Sequence, residues 1–243
     1  PALILHHTSH PVCVFPQPVV SADWPGAWAA EMQKTVGEGC VPVVVNGACG
    51  NINPADRSDH RPMGAGLAET TRSVFQHLEF AGEAALDWRM ERVPIPIREV
   101  TDEELEWAED MLDRHPEPSM QNDPPGVERE WIEAASTYSV YLQRQRSPEL
   151  EYEIQALRIG DTAIVGLPGE PFAELGLAIK MASPAYPTFI AHCTSEYVGY
   201  IPKADALQRG GHEAKTRYWA KLVPEAFDTI RDHATALLND ISS

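Results

Sequence analysis

The sequence predicts an α/β chain, or a mixed α+β one, layered from sheet and helix. Three observations carry that expectation. Short apolar runs of strand length, such as Val41-Pro42-Val43-Val44-Val45, alternate along the chain with longer stretches whose apolar residues recur every three or four positions. No segment repeats at a fixed period, which excludes solenoids and propellers. Apolar residues make up 43% of the 243 residues, enough for a packed core.

In chain order, the apolar run over residues 2–5 is the first strand and residues 24–36 the first helix; residues 41–45 and 63–78 repeat that pair. Residues 88–97 form a half-buried strand, because Val93, Ile95 and Ile97 alternate with their neighbours. A helix over 101–114 starts at a capping box, Thr101 with Glu104 three residues on. A second charged helical pattern covers 127–146, and the stretch 115–126 between them is rich in proline and polar turn residues. Residues 101–146 are therefore expected to be a solvated helical hairpin inserted between two strands. Strands follow over 152–159, 162–167 and 188–192. Pro171 opens a helix over 171–182, at a first-turn position where proline is tolerated. The last helix is expected over 215–238, with Tyr218, Leu222, Phe227, Ile230 and Leu237 on one apolar stripe.

Charge narrows the function classes. With 19 basic and 36 acidic side chains the net charge is −17, which repels phosphate backbones and anionic lipid heads. Nucleic acid is not an expected partner. No apolar run approaches the roughly 20 residues that span a bilayer, and Glu225, Asp228 and Asp232 deny the last helix the basic face of a membrane-docking helix. Cys13, Cys40, Cys49 and Cys193 form no C-x-x-C pair, so they are expected to be buried free thiols. Neither oligomeric state nor compartment is encoded in these features.

Chemistry concentrates in loops that follow apolar strands. In His6-His7-Thr8-Ser9-His10-Pro11, three imidazoles fall within five residues. Such histidines serve either as metal ligands or as structural hydrogen-bonders. The loop Asn46-Gly47-Ala48-Cys49-Gly50-Asn51-Ile52-Asn53-Pro54 has glycines that allow close backbone approach and amides free to meet an anion or oxyanion, but no Walker pattern. In Leu167-Pro168-Gly169-Glu170-Pro171-Phe172, Glu170 is either a cap on a helix dipole, worth about 0.3–1 kcal/mol, or a hard oxygen ligand on a rigid strand end. Tyr197 and Tyr200 place two phenols three residues apart.

Taken in order, these blocks resemble the neutral/alkaline ceramidase family, zinc-dependent amidases that release a fatty acid from a sphingoid base. The resemblance rests on His10-Pro11-Val12 with Ser21-Ala22-Asp23, Gly50-Asn51-Ile52-Asn53-Pro54, the Glu170 block, Tyr197-Val198-Gly199-Tyr200 and Gly210-Gly211-His212-Glu213. It implies the C-terminal portion of a single catalytic domain across residues 1–243. It also implies a zinc site in which His10, with His6 as fallback, Glu170 and Tyr200 are three of four ligands. The family's first histidine belongs to a Thr-His-Thr-His block that these residues lack, so the chain by itself is expected to bind zinc weakly or not at all.

Two departures bear on the chemistry. Asn53 stands where the family has a serine important for activity, and an amide is no nucleophile, though it still hydrogen-bonds. His212 stands where a later family tyrosine assists the substrate carbonyl. Asp23 is expected to orient a histidine, as carboxylates behind metal ligands do. The implied activity is hydrolysis of an N-acyl amide, lipid or small molecule, by metal-activated water, with Tyr200, His212 and Asn53 around the reacting group. The alternatives are a zinc hydrolase of another ester or acylated polar substrate, and a non-catalytic binding or scaffold protein on the same fold.

Overall fold

The computed structural model describes residues 2–80, 82–122 and 125–242, so Asp123 and Pro124 of the turn-rich stretch lie outside the described residues. The chain opens with a βαβ unit: strand β1 (Ala2–His7), helix α1 (Asp23–Val36) and strand β2 (Val41–Asn46). The two strands are parallel, with Ala2 opposite Val41 and His7 opposite Asn46. Helix α2 (His60–Phe75) packs on α1, and Trp28, Met32 and Ala68 seal that seam against Leu3, Leu5 and Val44. Asp59 caps α2 by accepting from the Arg61 amide, which starts this helix three residues before the apolar periodicity does.

Strand β3 (Leu86–Pro96) then leads into helix α3 (Asp102–Arg114), the small antiparallel pair β4 (Met120–Asn122) and β5 (Pro125–Val127), and helix α4 (Arg129–Arg146). The capping box at Thr101 and Glu104 forms as its spacing predicts. Val127 pairs with Met120, so α4 begins two residues later than expected. Ala108, Met111 and Ala134 make a small separate core between α3 and α4.

Strand β6 (Glu149–Ile159) returns antiparallel to β3, and a two-residue turn at Gly160, with φ +61°, delivers β7 (Thr162–Gly166) antiparallel to β6. The short strand β8 (Glu170–Pro171) and helix α5 (Ala173–Ala182) cross over to β9 (Thr188–Ala191), parallel to β7. Strand β10 (Tyr200–Ile201), helix α6 (Ala204–Arg209) and helix α7 (Ala226–Ser242) close the chain. The four-stranded sheet thus runs β3-β6-β7-β9, and β1–β2 stands against its β9 end through a bond from the His192 amide to the Asn46 carbonyl.

One face of this sheet carries the core. Val93, Ile95, Tyr152, Ile154, Ala156, Val165 and Ile190 pack against Leu175 and Ile179 of α5 and against Phe227, Ile230, Ala234 and Leu238 of α7. The other face is also apolar and is exposed: Trp88 lies opposite Leu157 and Leu86 opposite Ile159, with Ile4 and Val43 exposed on β1 and β2. The mixed α/β class follows as the sequence predicts.

Two expected helix starts are corrected. Pro171 is not in a first turn but in β8, where its carbonyl accepts from Gly50 and the flanking amides of Glu170 and Phe172 bond to Gly199 and Ile201. Proline has no amide to lose there, so the short ladder accepts it. The last helix begins at Ala226 rather than at residue 215, because Pro224 blocks helix through residues 215–225. Tyr218 and Leu222 therefore belong to a loop, and the apolar stripe of α7 is Phe227, Ile230, Leu237, Leu238 and Ile241. Among the cysteines, Cys13, Cys40 and Cys49 are buried free thiols as expected, but Cys193 is exposed.

Candidate active site

The carboxyl ends of β1, β2, β7 and β9 meet, and the loops leaving them hold His10, Cys49, Glu170 and His192, the place where α/β sheets commonly bind ligands. Backbone bonds tie these loops together: Gly50 donates to Pro171, Cys193 to Gly169, and Thr194 to Leu167. Gly50 is obligatory here, since a Cβ on it would sit 2.4 Å from the Glu170 carbonyl oxygen. Gly169 takes φ +70°, and a Cβ on it would sit 2.3 Å from the Gly199 carbonyl oxygen.

At the centre, His10 Nε2 lies 2.8 Å from Glu170 Oε2, while His10 Nδ1 donates to the Ile52 carbonyl at 3.0 Å. Cys49 and Glu170 beside the ring lift the His10 pKa to about 10, against the opposing effect of burial. Burial alone would raise Glu170, but the hydrogen bonds from His10 and Tyr197 outweigh it and hold the carboxyl below its ordinary value. The Tyr197 hydroxyl donates to Glu170 Oε1 at 2.9 Å. Burial, and then the Glu170 charge, push both Tyr197 and Tyr200 above the ordinary tyrosine value, so both phenols stay protonated and able to donate.

Tyr200 and His212 form the second flank. The Tyr200 ring centre is 6.2 Å from His10 and 5.9 Å from His212, the latter edge-on. His212 is exposed and stacks on Trp219 at 4.9 Å, and the Trp219 indole donates to the His212 carbonyl. The Tyr200 amide donates to the Trp219 carbonyl at 2.7 Å, so one loop fixes both aromatic partners. Asn53 lies on the rim of an open cavity of about 390 Å³, lined also by His7, Ser9, Asp56 and Asp59.

The structure therefore brings His10, Glu170, Tyr200 and His212 together and sets Asn53 in the adjoining cavity. His6, the fallback ligand, points elsewhere: its Nε2 bonds the Ile190 carbonyl and its ring packs on Phe189. Asp23 touches no histidine; its carboxylate accepts from the Val14 and Trp24 amides, and the Trp24 indole donates to the His10 carbonyl. Asp23 thus fixes the loop backbone and not a ring. Glu170 does not cap α5; Asn51 does, accepting from the Ala173 amide at 2.8 Å. In the second loop the amides of Gly47, Gly50 and Ile52 donate within the protein, to His7, Pro171 and Cys49, and so are not open to an oxyanion. Sequence reasoning passed over Cys49 and His192, whose Sγ and Nδ1 are 3.9 Å apart. The available signal was position, since His192 closes the strand expected over 188–192 and Cys49 lies in the glycine-rich loop after the strand expected over 41–45.

The donor set fits a metal in part. The Ile52 carbonyl holds the His10 tautomer in the manner of a metal-ligating histidine, with Nε2 directed at an acidic oxygen. Among the described residues, however, no group of three or more His, Cys, Asp or Glu side chains is placed to hold an ion.

No family model matches the chain, and no curated protein matches it by sequence. Solved structures do. Over 99% of its length the chain superposes on a neutral ceramidase from Pseudomonas aeruginosa with a TM-score of 0.66 and 14% identity. It superposes equally on a ceramidase complexed with C2, with a TM-score of 0.67 and 16% identity. The chain spans 44% and 45% of those two proteins, less than half the length of either. It has the fold of that part of a ceramidase.

Proposed function

We propose that these residues are part of a zinc-dependent hydrolase of the neutral ceramidase family that cleaves an N-acyl amide. The observation that carries this reading is the His10–Glu170 pair, 2.8 Å apart at the convergent strand ends, with the Ile52 carbonyl behind the imidazole. In this reading His10, Glu170 and Tyr200 are three of the residues that hold the metal. When bound, zinc supplies a Lewis acid and a water whose pKa falls to roughly 7.

The chain's own residues do the rest. The Ile52 carbonyl keeps a proton on His10 Nδ1 and so leaves Nε2 as the donor atom. Tyr197 holds Glu170 Oε1, which orients the other carboxylate oxygen toward His10. Protonated Tyr200 is poised to donate to an acyl oxygen. His212, exposed beside it, is free to pass a proton to the departing amine. Asn53 offers amide hydrogen bonds to the substrate from the neighbouring cavity.

Elemental analysis of the natural gene product, alongside His10→Ala and Glu170→Ala, tests the metal. Zinc near one equivalent should fall sharply in both variants; stoichiometric zinc that survives both would overturn the assignment. A substrate panel running from ceramide-like lipids to polar N-acyl compounds and esters tests the chemistry. Asn53 in the serine's place favours a second reading, hydrolysis of another ester or acylated polar substrate, which the polar half of that panel would report. Full inertness across the panel would indicate a non-catalytic binding or scaffold protein on this fold.

A further inference from the structure

Glu133 is a buried carboxylate with no place in the chemistry above. It lies on α4, outside the strand-end loops, and is 9% exposed. Three cations converge on it: Arg129 Nε at 2.9 Å, Lys215 Nζ at 3.0 Å and Arg217 Nη2 at 3.3 Å. Arg129 sits one turn away on the same helix, but Lys215 and Arg217 belong to the loop between His212 and Trp219 or flank its tip. Arg129 and Lys215 reach solvent, but the Arg217 side chain is only 7% exposed and its other carboxylate, Glu104, lies farther off at 3.8 Å, so removing Glu133 takes the nearer counter-charge from a desolvated guanidinium.

The rest of the loop is gripped from the same side. Ser136 accepts from the Tyr218 amide at 2.7 Å, and Thr137 donates to the Thr216 carbonyl at 3.4 Å. The Arg217 guanidinium lies over the Trp107 ring of α3 at 5.4 Å. Directly beyond these anchors Trp219 stacks on His212, and its carbonyl receives the Tyr200 amide. There is no slack on the far side, because a Cβ on Gly199 would meet the Trp219 backbone at 2.5 Å. A displacement of residues 215–219 therefore reaches His212 and Tyr200 together.

We propose that Glu133 is a positioning residue of the candidate site: through Lys215 and Arg217 it sets the loop that presents His212 to Tyr200, which makes the α3–α4 pair part of the working apparatus. This rests on the hydrolase reading for its kinetic consequence but not for its geometry. The test therefore has two arms. In the first, the His212 ring-proton resonance is followed by NMR, since the Trp219 stack displaces it from the ordinary histidine position. Glu133→Gln and Lys215→Met should move it toward that ordinary position, whereas Glu91→Gln, which removes the carboxylate facing His233 at 3.0 Å, should leave it unchanged. In the second arm, kcat on the best amide of the panel should fall roughly tenfold or more with zinc content and KM little altered, as misplacement near a reacting group predicts.

Lys215 is about half exposed, so Lys215→Met decides the matter if Glu133→Gln does not fold. A wild-type protein inert on every amide would refute the amide-hydrolase reading while leaving the NMR arm to decide this one. Folded variants that keep the wild-type His212 resonance would overturn the proposal.

Discussion

His10 carries more physical information than any other side chain in the chain. Its pKa of about 10 exceeds the ordinary 6.5, so the folded protein binds the imidazole proton more tightly than the unfolded chain does. The stability this adds is fully present below pH 6.5 and is lost as pH rises through about 10. Glu170, held below its ordinary 4.5, contributes above that value and loses its contribution as the pH falls. Thermal melts in chelator should therefore show stability declining from pH 6.5 toward 10, and Glu170→Gln should flatten that slope. An unchanged slope would mean that the pair does not titrate as one ion pair. Gly50 supplies a second prediction at this scale. Gly50→Ala drives a methyl group against the Glu170 carbonyl and should cost about 1–3 kcal/mol in denaturant unfolding, and it should weaken zinc binding by the natural protein. The site's residue types were legible in the sequence, because imidazole, carboxylate and phenol at strand ends announce polar chemistry. Their partners were not: Asp23 and Asn51 proved to hold backbone amides, which no spacing rule distinguishes from holding a ring.

Elements follow their local signals wherever those signals are covalent or span one turn. The Thr101 box is such a case, and Thr101→Ala should lower stability by about 0.5–2 kcal/mol, read as an earlier melt of α3 in hydrogen exchange. A cost near zero would show that packing of Ala108 and Met111 alone holds this helix. The alternation of Val93, Ile95 and Ile97 was equally legible, since period two at a sheet surface admits one buried face. Elements failed to be legible where a proline had two local meanings. Pro171 suits a first helical turn, yet its neighbours' amides find Gly199 and Ile201, and a two-residue ladder wins. Pro224 was a warning inside a periodic pattern that ran through it, and the chain obeyed the missing amide over the period.

At the scale of the molecule, the four-stranded sheet, covered by helices on one side, leaves an apolar surface on the other. Trp88 is 61% exposed, with Leu86 and Met90 beside it on β3 and Leu157 and Ile159 on β6. Residues 1–243 alone should therefore bind an apolar reporter dye, and Trp88→Lys with Ile159→Lys should abolish the binding without lowering the melting temperature. Dye binding unaffected by the pair of substitutions would place the apolar site elsewhere. The net charge of −17 adds that stability should rise with moderate salt, as self-repulsion is screened.

The sequence by itself determined the class of fold, the order of most strands and helices, and the blocks in which polar chemistry gathers. Those are properties of neighbours a few residues apart, where hydrophobic period, proline geometry and capping act directly. Only the tertiary structure decided that His10 and not His6 meets Glu170, 160 positions further along the chain, and that Tyr197 joins them. It also decided that a carboxylate on α4 anchors the loop of His212. Such pairings depend on which side chains the sheet's register and the crossing loops bring within 3 Å, a distance that no local pattern encodes.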